Sequence, residues 1–302
     1  MTEALNVLRE QQQQLDKSFD CEHRGFAILP DWQAVQVSGE DAESFLQNLL
    51  TNDVKAAQPD QAQLNGFCQA KGRLLAIFWL VRRADDFVLI LPTDQVDFLT
   101  QRLNMFKLRS KVVITNLNDL ALITLPDAKY CQNFASRVAD NAALALVPIE
   151  ELDTTLEQLQ NAGLKQQARH CWLQALLQGG YPMIFAASRE RFTAQQVNLD
   201  LAGGVSFRKG CYPGQEVVAR LHYLGEAKRR LFIGEVQTTD LPAPGADINN
   251  EAGDVAGQLV QSCQLDAARS LIQFTLKLTM AEQKLLLPDN IAVNNIRQLS
   301  DS

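Results

Sequence analysis

Gly203-Gly204-Val205-Ser206-Phe207-Arg208-Lys209-Gly210-Cys211-Tyr212-Pro213-Gly214-Gln215-Glu216 is the stretch on which the reading of this chain turns. An apolar run enters a glycine-punctuated bend, where missing side chains let the backbone turn tightly and come close to another group. Val217, Val218, Leu221 and Leu224 follow at helical spacing, with Arg220 and His222 between them. Cys211 is therefore expected near a helix N-terminus, beside Arg208 and Lys209, two features that favour thiolate over thiol. Two readings stand at this point: a chemically active sulfur, or a small buried hydrophobe, as a lone cysteine often is.

Working outward, 302 residues predict two or three domains with ample core, and the apolar and charged fractions are those of a globular protein. The net charge of -7 argues against a nucleic-acid binder as a whole, although a local basic patch is compatible with it. No apolar run approaches the roughly 20 residues that span a bilayer. Met1 to Asp20 lacks a signal-peptide core, so a cytoplasmic protein with no membrane partner is expected. The six cysteines are scattered without a CxxC pair, which predicts free thiols. His23, His170 and His222 have no metal-ligand spacing, so no metal site is expected.

Along the chain, residues 3 to 19 read as a surface helix weakened by Gln11–Gln14. Phe26–Pro30 and Trp32–Gly39 read as strands, and Ser38-Gly39-Glu40-Asp41 opens a helix. Strands follow from Gln63 to Val81, broken at Lys71-Gly72, and from Phe87 to Leu91, then a helix from Thr93 to Phe106. Lys107, Arg109 and Lys111 lead into a strand with a cationic edge. A strand at Leu120–Leu125, helices around Cys131–Val138, Thr154–Ala162 and Ala168–Leu177, and turns at Gly163 and Gly179-Gly180 complete an α+β pattern. Beyond Glu226, short strand-like runs separated by Pro242, Pro244, Gly245, Gly253 and Pro288 predict a small β-barrel.

The run Lys209-Gly210-Cys211-Tyr212-Pro213-Gly214-Gln215-Glu216 resembles the signature of the YgfZ family, relatives of the folate-binding T-protein of the glycine cleavage system. Asn198-Leu199, Gly203–Phe207, Leu29–Trp32, Cys171-Trp172 and Gly180-Tyr181-Pro182 extend the resemblance over essentially the whole chain. The resemblance implies an aminomethyltransferase-like α+β fold around a central opening for a folate. Its parts would be residues 1–50 with 165–225 as a discontinuous folate-binding domain, residues 51–164 as a second α+β domain, and residues 226–302 as a C-terminal barrel.

The resemblance further implies tetrahydrofolate or a related folate as cofactor, with iron–sulfur enzymes as transient clients and tRNA thiolation affected indirectly. Trp32 and Trp172 match the family's folate-contacting tryptophans, and indole rings suit a flat pterin. Trp79 matches nothing functional and reads as core. Arg208, Lys209 and Arg220 are candidates to hold the anionic tail. Tyr212, Gln215 and Glu216 complete the expected cofactor-binding set, and Cys211 is the candidate reactive thiol, with Lys209 beside it. The T-protein has a strand-end carboxylate next to its folate, but the corresponding Ala70–Ile77 contains no acid. Aminomethyl transfer thus has no evident proton carrier. Another folate-dependent one-carbon transfer or demethylation, and direct tRNA binding through Lys107–Lys111 and Lys228–Arg230, are the alternatives.

Overall fold

The structure, a computed structural model of the chain, describes residues 10–19, 21, 25–131, 134–139 and 142–299. Two compact units are woven from alternating stretches: residues 1–46, 54–63 and 78–172 in the first, and residues 47–53, 64–77 and 173–302 in the second.

In the first unit, β2 (Trp32–Ser38) lies between β5 (Asp86–Pro92) and β6 (Val113–Leu117), antiparallel to both. It buries Val35 and Val37 on one face and Trp32 and Ala34 on the other. The latter half of β4 (Leu74–Arg82) pairs with β5, and residues 83–85 make the hairpin connection between the two strands. Trp79 on β4 is buried, in agreement with its core reading. The helices α2 (Ala42–Gln47) and α3 (Thr93–Lys107) fall where the sequence placed them.

A second sheet runs in the order β10 (Lys165–Gln166), β1 (Gly25–Ile28), β7 (Leu120–Leu125), β9 (Ala142–Pro148), β8 (Ala135–Ala139). Leu152 and Leu159 of α4 (Leu152–Asn161) pack with Phe26, Ile123 and Val147 in the same core. The helix expected around Cys131–Val138 is replaced by β8, which ladders onto β9. Ala, Ser and Arg tolerate helix, but strand pairing overrides weak local preference.

The expected N-terminal helix is described only from residue 10, as α1 over residues 10–15; residues 3–9 and His23 lie outside the described residues. This segment is docked rather than a frayed surface helix. Gln12 is fully buried, donates to the Gln167 carbonyl at 2.9 Å, and accepts from the Ile28 amide at 3.0 Å. Those two bonds satisfy both ends of the amide, which makes burial of a glutamine tolerable.

In the second unit, β3 (Gln63–Cys68) runs beside the first half of β4, with Lys71-Gly72 in the turn. The chain leaves α5 (Arg169–Gln178) through an extended segment and reaches α6 (Gln215–Leu224). It then closes a barrel in the order β11 (Arg229–Val236), β14 (Ser270–Lys277), β13 (Val255–Gln264), β12 (Asp247–Asn250), β15 (Leu285–Leu286), β16 (Ala292–Gln298). Phe232, Ile248, Leu259, Ile272 and Phe274 fill its interior. No described helix is long and apolar enough to cross a membrane.

Candidate functional site

Arg208, Lys209, Cys211, Tyr212, Gln215 and Glu216 fall in the second unit, and Trp32 and Trp172 in the first. The signature loop of the second unit is knitted to the Thr51-Asn52-Asp53 turn. Thr51 Oγ1 donates to the Gly204 carbonyl at 2.6 Å, and Asn52 Nδ2 to those of Gly203 at 2.7 Å and Leu64 at 2.9 Å.

Lys209 completes that join. Its Nζ donates to the carbonyls of Gln47 at 2.6 Å, Leu50 at 2.7 Å and Asn52 at 2.8 Å. An ammonium has three protons, and all three are committed. Lys209 is 8% exposed, so it is neither a solvated turn lysine nor a free cation for an anionic tail. Burial pulls its pKa down to about 8, with Asp53 pulling the other way. Its Nζ also sits 5.4 Å from the centre of the Tyr212 ring.

Beyond Cys211 the backbone presses on the β3–β4 turn. Gly214 has φ +82, and a Cβ there would stand 2.6 Å from the Gln69 carbonyl oxygen and 2.8 Å from Gly72 Cα. Gly72, also at positive φ, would meet Val217 in the same way. The acid-free stretch flagged in the sequence thus lies directly against the signature loop. A neighbouring carboxylate is that of Glu190, which accepts from Gln69 Nε2 at 3.1 Å and is exposed.

Cys211 is a free, exposed thiol, so the reading as a buried hydrophobe fails. The helix opens at Gln215, four positions later, with Gly214 as its N-cap, and the Lys209 charge is turned into carbonyls. Arg208, Arg220 and Glu216 are exposed, and Tyr212 is buried, its hydroxyl pushed well above its ordinary pKa by that burial and by nearby Cys68. Phe207 stacks on His222 with ring centres 3.6 Å apart.

In the first unit, Trp32 and Trp172 meet edge to face, ring centres 5.5 Å apart. Both are buried, as a core pair would be. Core packing leaves one atom unexplained. The Trp172 Nε1–H is buried without an acceptor among the described residues, and buried indole donors ordinarily find one. A heteroaromatic ligand carrying acceptors fits such a donor.

Two cysteines expected to be free thiols are joined: Cys21 and Cys171 form a disulfide with Cα atoms 5.3 Å apart. Their separation of 150 positions concealed the pairing, since linear spacing reports only local motifs. At the basic edge Lys107–Lys111, one cation is paired with an acid. Lys111 pairs with Glu40 at 2.6 Å, and its amide donates to Asp41 at 2.7 Å. Arg230, from the other basic run, is held by both oxygens of Asp200 at 2.9 Å. Neither Thr51-Asn52-Asp53, which reads as an ordinary turn, nor Asp200 could be singled out without contacts that bridge distant positions.

No protein-family model matches the chain. It is 30% identical over 270 residues to the tRNA-modifying protein YgfZ of Cronobacter sakazakii, covering 81% of this chain and 82% of that one. The protein of the same name from Photorhabdus laumondii is 32% identical over 249 residues, covering 75% of each. Among solved structures, the glycine cleavage system aminomethyltransferase T of Bartonella henselae superposes with a TM-score of 0.67 over 96% of this chain and 88% of that one, at 13% identity. The fold is that of the aminomethyltransferase.

Proposed function

The chain belongs to the YgfZ family, and from that premise we propose a folate-binding accessory protein that supports iron–sulfur enzymes and, through them, tRNA modification. The observation that carries the folate reading is the buried Nε1–H of Trp172, without an acceptor among the described residues and edge-on to Trp32. A folate supplies a flat ring with acceptors, and either indole supplies apolar area to hold it. Arg208 is an exposed cation suited to an anionic group, and Tyr212, Gln215 and Glu216 stay in the proposed set. Lys209 moves from a catalytic candidate to a positioning residue, because its protons hold the 47–52 segment. Cys211 is the proposed reactive group, since its sulfur is exposed on a loop clamped at both ends.

A folate-dependent one-carbon transferase is the second reading, and the acid-free turn at residues 69–72 counts against the aminomethyl version of it. Direct tRNA binding is less supported. Glu40 pairs with Lys111 at the Lys107–Lys111 edge, and Asp200 pairs with Arg230. Counterion release needs uncompensated cations facing phosphate.

Tetrahydrofolate titrated into the protein should quench tryptophan fluorescence saturably, and Trp172→Phe, which keeps a ring but loses the donor, should weaken binding severalfold. No saturable quenching in the wild type overturns the folate reading. Cys211→Ala should abolish support of tRNA thiolation in cells while leaving the melting curve unchanged. Undiminished thiolation in that variant removes the cysteine from the mechanism.

A further inference from the structure

The Cys21–Cys171 disulfide has a histidine beside it. One ligand atom each of Cys21, His170 and Cys171 lies within 4.8 Å of the other two. Core packing does not account for this imidazole: it is 7% exposed, and its Nε2 has no hydrogen-bond partner among the described residues. Phe19 stacks on the ring at 4.9 Å and fixes its plane. Arg169, the neighbouring cation, is paired with Asp16 at 2.7 Å and Asp31 at 2.8 Å, two carboxylates that offset its repulsion of a positive ion. Cys21 is exposed, which lets a reductant reach the bond.

We propose that Cys21, His170 and Cys171 form a redox-gated zinc site, shut while the two sulfurs are bonded to each other and opened when they are reduced. A dithiol reductant supplies the two electrons. Its thiolate attacks one sulfur, the S–S bond breaks, and the exchange ends with two protein thiols and the reductant's own cyclic disulfide. The two thiols then each lose a proton to solvent as Zn(II) binds both sulfurs and the lone pair of a neutral imidazole nitrogen, with water in the fourth position. Zn–S and Zn–N distances of about 2.3 and 2.0 Å place these three tetrahedral ligand atoms roughly 3.5–3.8 Å apart, so the two sulfurs must separate on reduction while the imidazole stays beside them. Two thiolates and one imidazole match zinc better than magnesium or calcium, which select oxygen. Disulfides in reducing compartments are usually transient and redox-sensing, as this gate requires.

The test loads the full chain with Zn(II) after reduction by a dithiol and removal of the reductant, in a Cys211→Ser background that removes the other exposed thiol. Bound zinc is counted by elemental analysis, and Co(II) replaces it for absorption spectra. One zinc per reduced chain and none per oxidised chain are expected, with thiolate-to-Co(II) charge-transfer bands in the reduced form alone. His170→Ala should weaken binding at least tenfold, and Cys21→Ser with Cys171→Ser should abolish it; circular dichroism checks that both fold. Equal zinc in reduced and oxidised protein, or zinc retained by the double serine variant, overturns the proposal. Reduced protein that binds no zinc does the same.

Discussion

Lys209 shows how far one side chain departs from what its neighbours in sequence imply. In the signature it stands next to an exposed arginine and two positions from an exposed thiol, yet its ammonium serves three carbonyls of another segment. Lys209→Met should cost about 2 kcal/mol at pH 7, the scale of hydrogen bonds from a charged donor, read as a shift in urea midpoint. The pH dependence has a definite sign. The folded pKa is pulled to about 8, against 10.5 for the solvent-exposed lysine of the unfolded chain. Below about 8 both states hold the proton; between about 8 and 10.5 only the unfolded chain does, so stability from this group rises with pH. The gap between wild type and Lys209→Met should widen from pH 8 to 10, and a narrowing gap would mean that the carbonyls hold the proton more strongly than water does. Gly214 is the other decisive residue. Gly214→Ala combines a left-handed φ with a Cβ 2.6 Å from a carbonyl oxygen and should destabilise by about 2 kcal/mol or more. Unchanged melting would show that the loop and the β3–β4 turn separate easily.

At the scale of elements, the segment from Gln195 to Gly204 fastens the approach to the signature onto the barrel. Asn198, itself at positive φ, donates to the Leu299 carbonyl at 2.7 Å and accepts from the Leu231 amide at 3.1 Å. Arg230 on β11 donates to both oxygens of Asp200. Asp200 is nearly buried, with Arg230 only partly exposed, so the pair is screened less than a surface one. Asp200→Asn should lower stability by about 2 kcal/mol, with part recovered in Asp200→Leu/Arg230→Met, where neither charge is left alone. A double variant no better than the single one would show that the charge of Arg230 is easily solvated. Elements whose own pattern is strong, β2, α3 and α4 among them, stand where the sequence put them. The strand β8 does not, because Ala-Ser-Arg-Val-Ala carries no strong period and its partner β9 decides its state.

For the whole molecule, the disulfide is the longest covalent constraint, closing a loop across 150 positions within the first unit. By chain entropy a loop of this size stabilises by roughly 4–5 kcal/mol. Reduction should therefore lower the denaturant midpoint of the first unit's transition, and tryptophan emission reads it through Trp32 and Trp172. An unchanged midpoint on reduction would mean that the N-terminal segment is held by Gln12 and Asp16 alone.

The sequence by itself determined the family, the α+β character with its terminal barrel, and the loop around Cys211. Glycine spacing, helical and alternating periods and an eight-residue signature are all local, and local order survives in a linear string. Only the tertiary structure decided that Lys209 is a buried clasp, that Cys211 stands ahead of its helix, that the Trp172 donor meets no acceptor among the described residues, and that Cys21 meets Cys171 beside His170. Each of these depends on which distant backbone or sulfur a side chain reaches, and no periodicity encodes that distance.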